Sequence, residues 1–498
     1  MTTAATTPNP RRNWILATVA VAQTMVALDA TVMNIALPSA QLELGFSDAN
    51  RQWVITAYAL AFGSLLMLSG RLADRFGRKN LFIIGLIGFA IASAIGGASP
   101  TFELLVAARA VQGAFAALLA PSALALLTTT FTDPKERSRA FGVFGAIGIL
   151  GLVVGLILGG ALTEYLDWRW TMYINIFFAI PATIGAFILL GHAVKPAERA
   201  RIDLLSTLLV SAGLFGLVFG FSRVAIDGWD APITYLTLAA GVVLLASFFV
   251  LQSRLKNPLL PMRVIANRQR GGGLLGMLFA TGGMLGMVFL LAFYVQGILG
   301  YSAVQTGIAF LPLPLALVTS AIVIGPRLAR VVGPKITVPF GMLLASTGIL
   351  LLTRITLDDL YLEHIVPSLI LLGLGMGLVM PTSTNIATAG IRLEDTGVGS
   401  SLVSTAQQVG GALGVAIINS IAATAAIDYA ADHTPSPTLP LEAAVHGDTT
   451  AFFYSAGLFA LGALVTGLLF KRGLVHTHTA AHTDSPAEVL EEMPAIIE

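Results

Sequence analysis

Residues 27–38 read ALDATVMNIALP, and from Trp14 to Pro38 the chain has Asp29 and no other ionisable side chain. A charged aspartate in the middle of a bilayer costs on the order of 2.5–3.5 kcal/mol, so such a residue is a functional candidate by default. Burial in a low dielectric disfavours the carboxylate, while a nearby cation favours it. A group held between those influences can take up and release a proton as its surroundings change. Arg109, inside the apolar run that begins near Phe102, is the natural partner. Fifteen residues after Trp14, at about 1.5 Å each, place Asp29 roughly 22 Å along its helix. Arg109, seven residues or about 10 Å into a span that enters from the other side of the membrane, falls at a similar depth. Proton coupling is the chemistry assigned to Asp29 and Arg109; a fixed ion pair joining two helices is the competing assignment. Apart from Asp29, the sequence places no acid deep in a span.

Other residues suggest gating or binding. The stretch GRLADRFGRKN (70–80) sets Asp74 among Arg75, Arg78 and Lys79, with Gly70 and Gly77 permitting tight backbone geometry. Further on, Gly148, Gly151, Gly155 and Gly159 are spaced three, four and four apart and share one helical face. Such a stripe lets another helix approach closely, which serves generic packing and gating equally well. Polar and aromatic residues inside apolar runs are candidates for lining a cavity that binds substrate. They are Asn34, Trp53, Tyr58, Gln112, Asn175, Tyr294, Gln296, Asn385 and Gln407, together with Asp29 itself. There is no GxxxxGK[ST] phosphate loop, and no Ser–His–Asp or zinc-ligand cluster lies within the apolar runs. The chain therefore reads as a non-enzyme without a cofactor, and ATP-driven export by this chain alone is not expected. His476, His478 and His482 sit in a polar tail and are assigned to a solvated segment, so no metal is expected.

These residues need elements to carry them. The 498 residues are 56% hydrophobic and 11% charged, with mean hydropathy +0.83. Soluble chains carry about 25% charged residues, so this composition belongs in a bilayer. A net charge of +1 argues against a nucleic-acid partner, and the lack of cysteine excludes disulfide frameworks and thiolate chemistry. Arg11 and Arg12 precede an apolar run too long for a signal-peptide core of roughly 7–15 residues, so the run reads as an uncleaved first span. A span needs roughly 20 mostly apolar residues, and the sequence offers fourteen such stretches. With the N-terminus in the cytoplasm and alternating spans, 23 of the 28 basic residues fall on the inner side. That asymmetry supports the orientation and the count together.

The fold expected is an all-α integral membrane protein. An internal repeat divides it: GRLADRFGRK (70–79) aligns with PRLARVVGPK (326–335), and Gly113 and Pro121 align with Gly373 and Pro381. Two six-helix halves follow, at 1–195 and 266–472, with an inserted two-helix pair and inner linker at 196–265. Residues 428–448 read as a long non-helical outer loop, and 473–498 as a disordered cytoplasmic tail.

The set of motifs resembles the major facilitator superfamily, specifically its fourteen-span drug:proton antiporters. GRLADRFGRK is similar to the superfamily's inner-loop signature, and RAVQG (109–113) to its fourth-span arginine motif. LDATVMNIALP and WRWTMYINI (168–176) are similar to signatures of the fourteen-span exporters. The resemblance implies alternating access between two bundles, with Asp29 in proton coupling, Arg109 assisting and Asp74 helping to latch the cytoplasmic side. The antiporter motif of the fifth span is matched at Gly142, Gly151, Gly155 and Gly159, but Leu156 replaces its proline. What the resemblance implies is proton-coupled efflux of lipophilic monovalent cationic or neutral amphiphiles by a monomer in the cell's inner membrane, both termini cytoplasmic. The alternatives are a dedicated exporter of one endogenous metabolite or antibiotic, and a lipid translocator.

Overall fold

Runs of Ala, Leu, Ile, Val and Gly with few charges satisfy their backbone hydrogen bonds internally, which in lipid permits helices. In the computed structural model, residues 11–48, 50–131, 133–190, 203–255, 258–358, 360–389 and 396–471 are described, and among them there is no strand. The first helices are α1 (Arg12–Leu44), α2 (Trp53–Phe76), α3 (Arg78–Gly97), α4 (Phe102–Thr130), α5 (Pro134–Tyr165) and α6 (Trp170–Leu189). Then come α7 (Leu204–Asp227), α8 (Pro232–Arg254), the single turn α9 (Met262–Ile265) and α10 (Arg268–Gly297). The segments α11 (Ala303–Ala309), α12 (Pro312–Thr319) and α13 (Gly325–Val332) follow one another closely, with a π-helical turn at Ser320–Ile324. The chain continues through α14 (Pro334–Leu351), α15 (Ile365–Thr388), α16 (Thr396–Asp432) and α17 (Leu439–Leu469).

Local chemistry sets several ends. Gly45 stops α1 in the left-handed conformation, at φ 68°. The Asp203 side chain accepts the Ser206 N–H at the start of α7, and Ser302 with Gln305 forms a capping box on α11.

Helices α1 to α6 pack together as one bundle, with α1 against α5 and α6, and α4 against α2 and α3. Helices α10 to α17 form a second bundle around α10, α15, α16 and α17. The pair α7–α8 stands at the seam, where α7 touches both α2 and α16. Its own contact is tight because Gly213, Gly216 and Gly220 on α7 face Leu245, Gly241 and Leu238 on α8.

The aligned repeat positions adopt matching conformations. Gly77 between α2 and α3 has φ 88°, and Gly333 between α13 and α14 has φ 73°. Each turns the chain where a side chain would be strained. Gly113 lets α4 approach the Tyr58 carbonyl, and Gly373 lets α15 approach the Leu313 carbonyl. Pro121 and Pro381 both lie inside their helices.

Twelve helical segments among the described residues are long and apolar enough to cross a membrane, and α2 and α5 add shorter apolar stretches at Trp53–Leu66 and Val153–Tyr165. The chain is thus a multi-pass membrane protein. The long outer loop expected at 428–448 is a correction: α16 extends to Asp432 and α17 starts at Leu439. Only six residues separate them, and Pro435 and Pro437 supply the break because each disfavours helix in the residue before it. Helix α5 runs through Leu156 without interruption, and Leu156 is buried. The tail 473–498 lies outside the described residues.

Candidate functional site

Asp29 points into the first bundle, where it is 1% exposed and Arg109 2% exposed. Five helices meet there. Arg109 Nη1 donates to Asp29 Oδ2 at 2.7 Å, and its Nε donates to the Val54 carbonyl of α2 at 3.0 Å. The other carboxylate oxygen, Oδ1, accepts Gln112 Nε2 from α4 at 2.9 Å and Asn175 Nδ2 from α6 at 2.7 Å. Gln112 is pinned from both sides. Its Oε1 accepts a second bond from Arg109, and its Nε2 also reaches Ser93 Oγ of α3 at 2.8 Å. The Arg109 guanidinium lies 4.5 Å from the centre of the Tyr58 ring, a cation–π contact that replaces part of its lost hydration.

Three N–H donors, one of them from the Arg109 cation, satisfy the two oxygens of this buried carboxylate. Through these bonds Asp29 is tied to four neighbouring helices at once.

The other residues singled out in the sequence are distributed as follows. Gln112, Asn175 and Tyr58 belong to the Asp29 centre, with Asn175 and Gln112 fully enclosed. Asn34 donates to the Ala30 carbonyl of its own helix at 2.8 Å. Trp53 packs on Phe215 and Phe219 of α7, with ring centroids 5.9 and 6.2 Å away. Tyr294, buried in the second bundle, donates to the Thr356 carbonyl at 2.6 Å. Gln296 donates to the Ile35 carbonyl across the two bundles at 3.1 Å. Gln407 lies beside the sulfurs of Met277 and Met380, at 3.7 and 4.0 Å, and Asn385 is exposed. Gly70, Asp74 and Arg75 fall on the last turns of α2, where side chains lie outside the described residues; Gly77 starts α3, and Arg78 is exposed in its first turn.

The glycine stripe of α5 lies on α1 and frames the Asp29 turn. A Cβ on Gly151 would come 2.9 Å from Ala27 Cβ, one on Gly159 2.9 Å from Val32 Cα, and one on Gly155 3.0 Å from the Leu28 carbonyl. Gly155→Val should therefore push α1 from α5 and destabilise by about 1–3 kcal/mol. Gly457, whose Cβ position has nothing within 4 Å, is the control. Thermal unfolding in detergent should show a lower midpoint for Gly155→Val than for Gly457→Val, and equal midpoints would remove the packing role.

Two features were missed from sequence. Ser93 was passed over because a lone serine in an apolar run usually bonds its own helix. Asp448, assigned to a loop, is a second buried acid in α17, 7% exposed, which corrects the expectation that Asp29 stands alone. It lies near the connector between α1 and α2. There Arg51 Nε donates to Asn419 Oδ1 of α16 at 3.3 Å, Asn419 Nδ2 donates to the Asp48 carbonyl at 3.3 Å, and the Arg51 guanidinium stacks 3.9 Å from the centre of the Phe293 ring. Burial pulls the Arg51 pKa below the ordinary arginine value, and Asp48 and Asp448 pull it back up. The Gln296–Ile35 bond and the Glu164 carboxylate accepting the Val304 N–H, at 2.9 Å, lie on this same face. The two bundles are thus bonded to each other where α1 gives way to α2.

Comparison with known proteins supplies the family. The profile of the Major Facilitator Superfamily matches residues 19–415. The chain is 45% identical over 469 residues to the puromycin resistance protein pur8 of Streptomyces alboniger, covering 93% of this chain and 92% of that one. It is 37% identical over 396 residues to the cephamycin export protein CmcT of Amycolatopsis lactamdurans, covering 79% and 82%. Among solved structures, the POT family transporter PepTSo superposes with a TM-score of 0.68 at 14% identity, over 93% of this chain and 98% of that chain.

Proposed function

The chain belongs to the Major Facilitator Superfamily, and from that membership we propose that it is a proton-driven exporter in which Asp29 carries the proton. As a member it is a secondary transporter and not an enzyme, and its relatives are resistance and export proteins. The proposal adds the energy source and the cargo. The observation that carries it is the enclosed carboxylate of α1, paired with Arg109 and served by Gln112 and Asn175. Nothing in an apolar helix requires such a group for folding, and removing a buried pair for apolar residues is often neutral or stabilising.

In this reading, α2 and α5 also cross the bilayer, giving fourteen spans: two six-helix bundles and the α7–α8 pair. Both termini face the cytoplasm, the face carrying the α1–α2 connector is outside, and the bonded seam there corresponds to an arrangement closed on the outside. Gly77 and the neighbouring Gly70, Asp74, Arg75 and Arg78 latch the opposite side. The cargo is a lipophilic monovalent cation or a neutral amphiphile, since Asp29 and Asp448, the buried acids among the described residues, each have an arginine beside them and leave no second free counter-charge for a dication. Asn34, Trp53, Tyr294, Gln296, Asn385 and Gln407 are proposed only as residues near the cargo path. A dedicated exporter of one antibiotic is the second reading, favoured by relatives whose names each specify one compound.

The test is transport into proteoliposomes of purified protein. An acidic lumen should drive accumulation of a lipophilic monovalent cation as protons leave, and collapsing the pH difference should end it. Accumulation that follows membrane voltage and ignores the pH gradient would overturn proton antiport.

A further inference from the structure

The ionised Asp29 carboxylate is saturated by donors, and that poses a problem for the protonated state. A carboxylic acid must donate its new O–H, yet Arg109, Gln112 and Asn175 all present N–H groups to it. A proton on Oδ2 would meet Arg109 Nη1 head on. On Oδ1 it would meet two amides, and these differ. Gln112 cannot turn, because its Oε1 is held by Arg109 and its Nε2 by Ser93 as well as by Asp29. Asn175 can. Its side chain is fully buried, and its Oδ1 has no protein partner among the described residues.

We infer that Asn175 is a two-way amide switch for Asp29, donating Nδ2–H to the carboxylate and, after a half-turn about Cβ–Cγ, accepting the acid's proton on its own Oδ1. The inference rests on Asp29 being the proton carrier. In the step a proton adds to Asp29 Oδ1, the Nδ2–H···Oδ1 bond breaks, and an Oδ1–H···Oδ1 bond to Asn175 forms; no covalent bond of the amide changes. Gln112 Nε2 keeps its bond to the lone pair left on Asp29 Oδ1, and Arg109 keeps Oδ2. Ser93 Oγ, 3.4 Å from Asn175 Nδ2 in the ionised state, then loses that contact and keeps Gln112. The half-turn forfeits no protein bond at Asn175 Oδ1, since none exists there; it gives up the Nδ2 bond to Asp29 and in return satisfies the O–H of the buried neutral acid. Among the described residues, the charged and titratable groups in contact at this centre are Asp29 of α1, Tyr58 of α2 and Arg109 of α4; there α3 and α6 contribute the neutral Ser93 and Asn175. Through the amide, the charge state of α1 is passed to α6.

Infrared difference spectroscopy between acid and alkaline pH tests this on full-length protein carrying ¹³C at the asparagine carboxamides. Acidification should raise a carboxylic C=O band that Asp29→Gln loses. It should also shift an isotope-sensitive carboxamide C=O band that disappears in Asn175→Ser and in Asp29→Gln and survives in Asn34→Ser. A carboxylic band that titrates while every carboxamide band stays still would overturn the switch and leave Asp29 as the proton carrier. Lack of the carboxylic band in folded protein would overturn both. The wild-type and Asp29→Gln spectra decide the matter even where Asn175→Ser does not fold.

Discussion

Asp29→Asn should abolish the response of transport to a pH gradient while leaving the protein folded. The carboxamide has nearly the shape of the carboxylate, and its oxygen can still accept Arg109 Nη1, which lies 2.7 Å from Asp29 Oδ2 in the parent. What it lacks is a group that can be charged at one pH and neutral at another. The variant should therefore retain exchange of cargo across liposomes at equal concentration, where no proton need move. With an acidic lumen its accumulation should fall to the level without a gradient. Keeping both measurements matters, because the stranded Arg109 charge will cost stability, and a protein that merely unfolds would lose both. Gradient-driven accumulation equal to the parent would remove Asp29 from coupling.

The second large effect is energetic. Arg109→Gln leaves a buried carboxylate without its cation, and breaking a buried pair from one side costs about 3–5 kcal/mol. The variant should melt well below the parent in detergent. Combining Arg109→Gln with Asp29→Asn removes both charges, so the double variant should be more stable than Arg109→Gln alone despite an extra substitution. Such non-additivity is the signature of groups in direct contact. If the two destabilisations simply add, the 2.7 Å pair contributes no coupling and its place in a transport cycle has no energetic basis.

How far the sequence reached is clearest at this same site. Depth along a helix follows from residue count at about 1.5 Å per residue, so Asp29 and Arg109 could be brought level from sequence, and they meet. Direction around a helix was harder. In lipid the face toward the protein and the face toward the bilayer are both apolar, so no hydrophobic stripe shows which way a polar residue points. Gln112 and Asn175 were grouped with residues lining a cavity, yet both bond Asp29. Trp53 was placed with them, and it packs on α7. The internal repeat was legible because glycines at turns are dictated by backbone geometry, and Gly77 and Gly333 carry the same positive φ. Asp448 escaped because hydropathy ends where helix does not: α17 begins at Leu439, inside the stretch 428–448 assigned to a loop. Proline spacing at Pro435 and Pro437 was the better guide to that boundary.

In the proposed cycle, proton and cargo exchange at Asp29. The most direct test adds a lipophilic monovalent cation to purified protein in weakly buffered detergent solution containing a pH indicator. A proton should be released on binding by the parent and none by Asp29→Asn. Equal release from both proteins, or binding by the parent with no release at any pH, would contradict it.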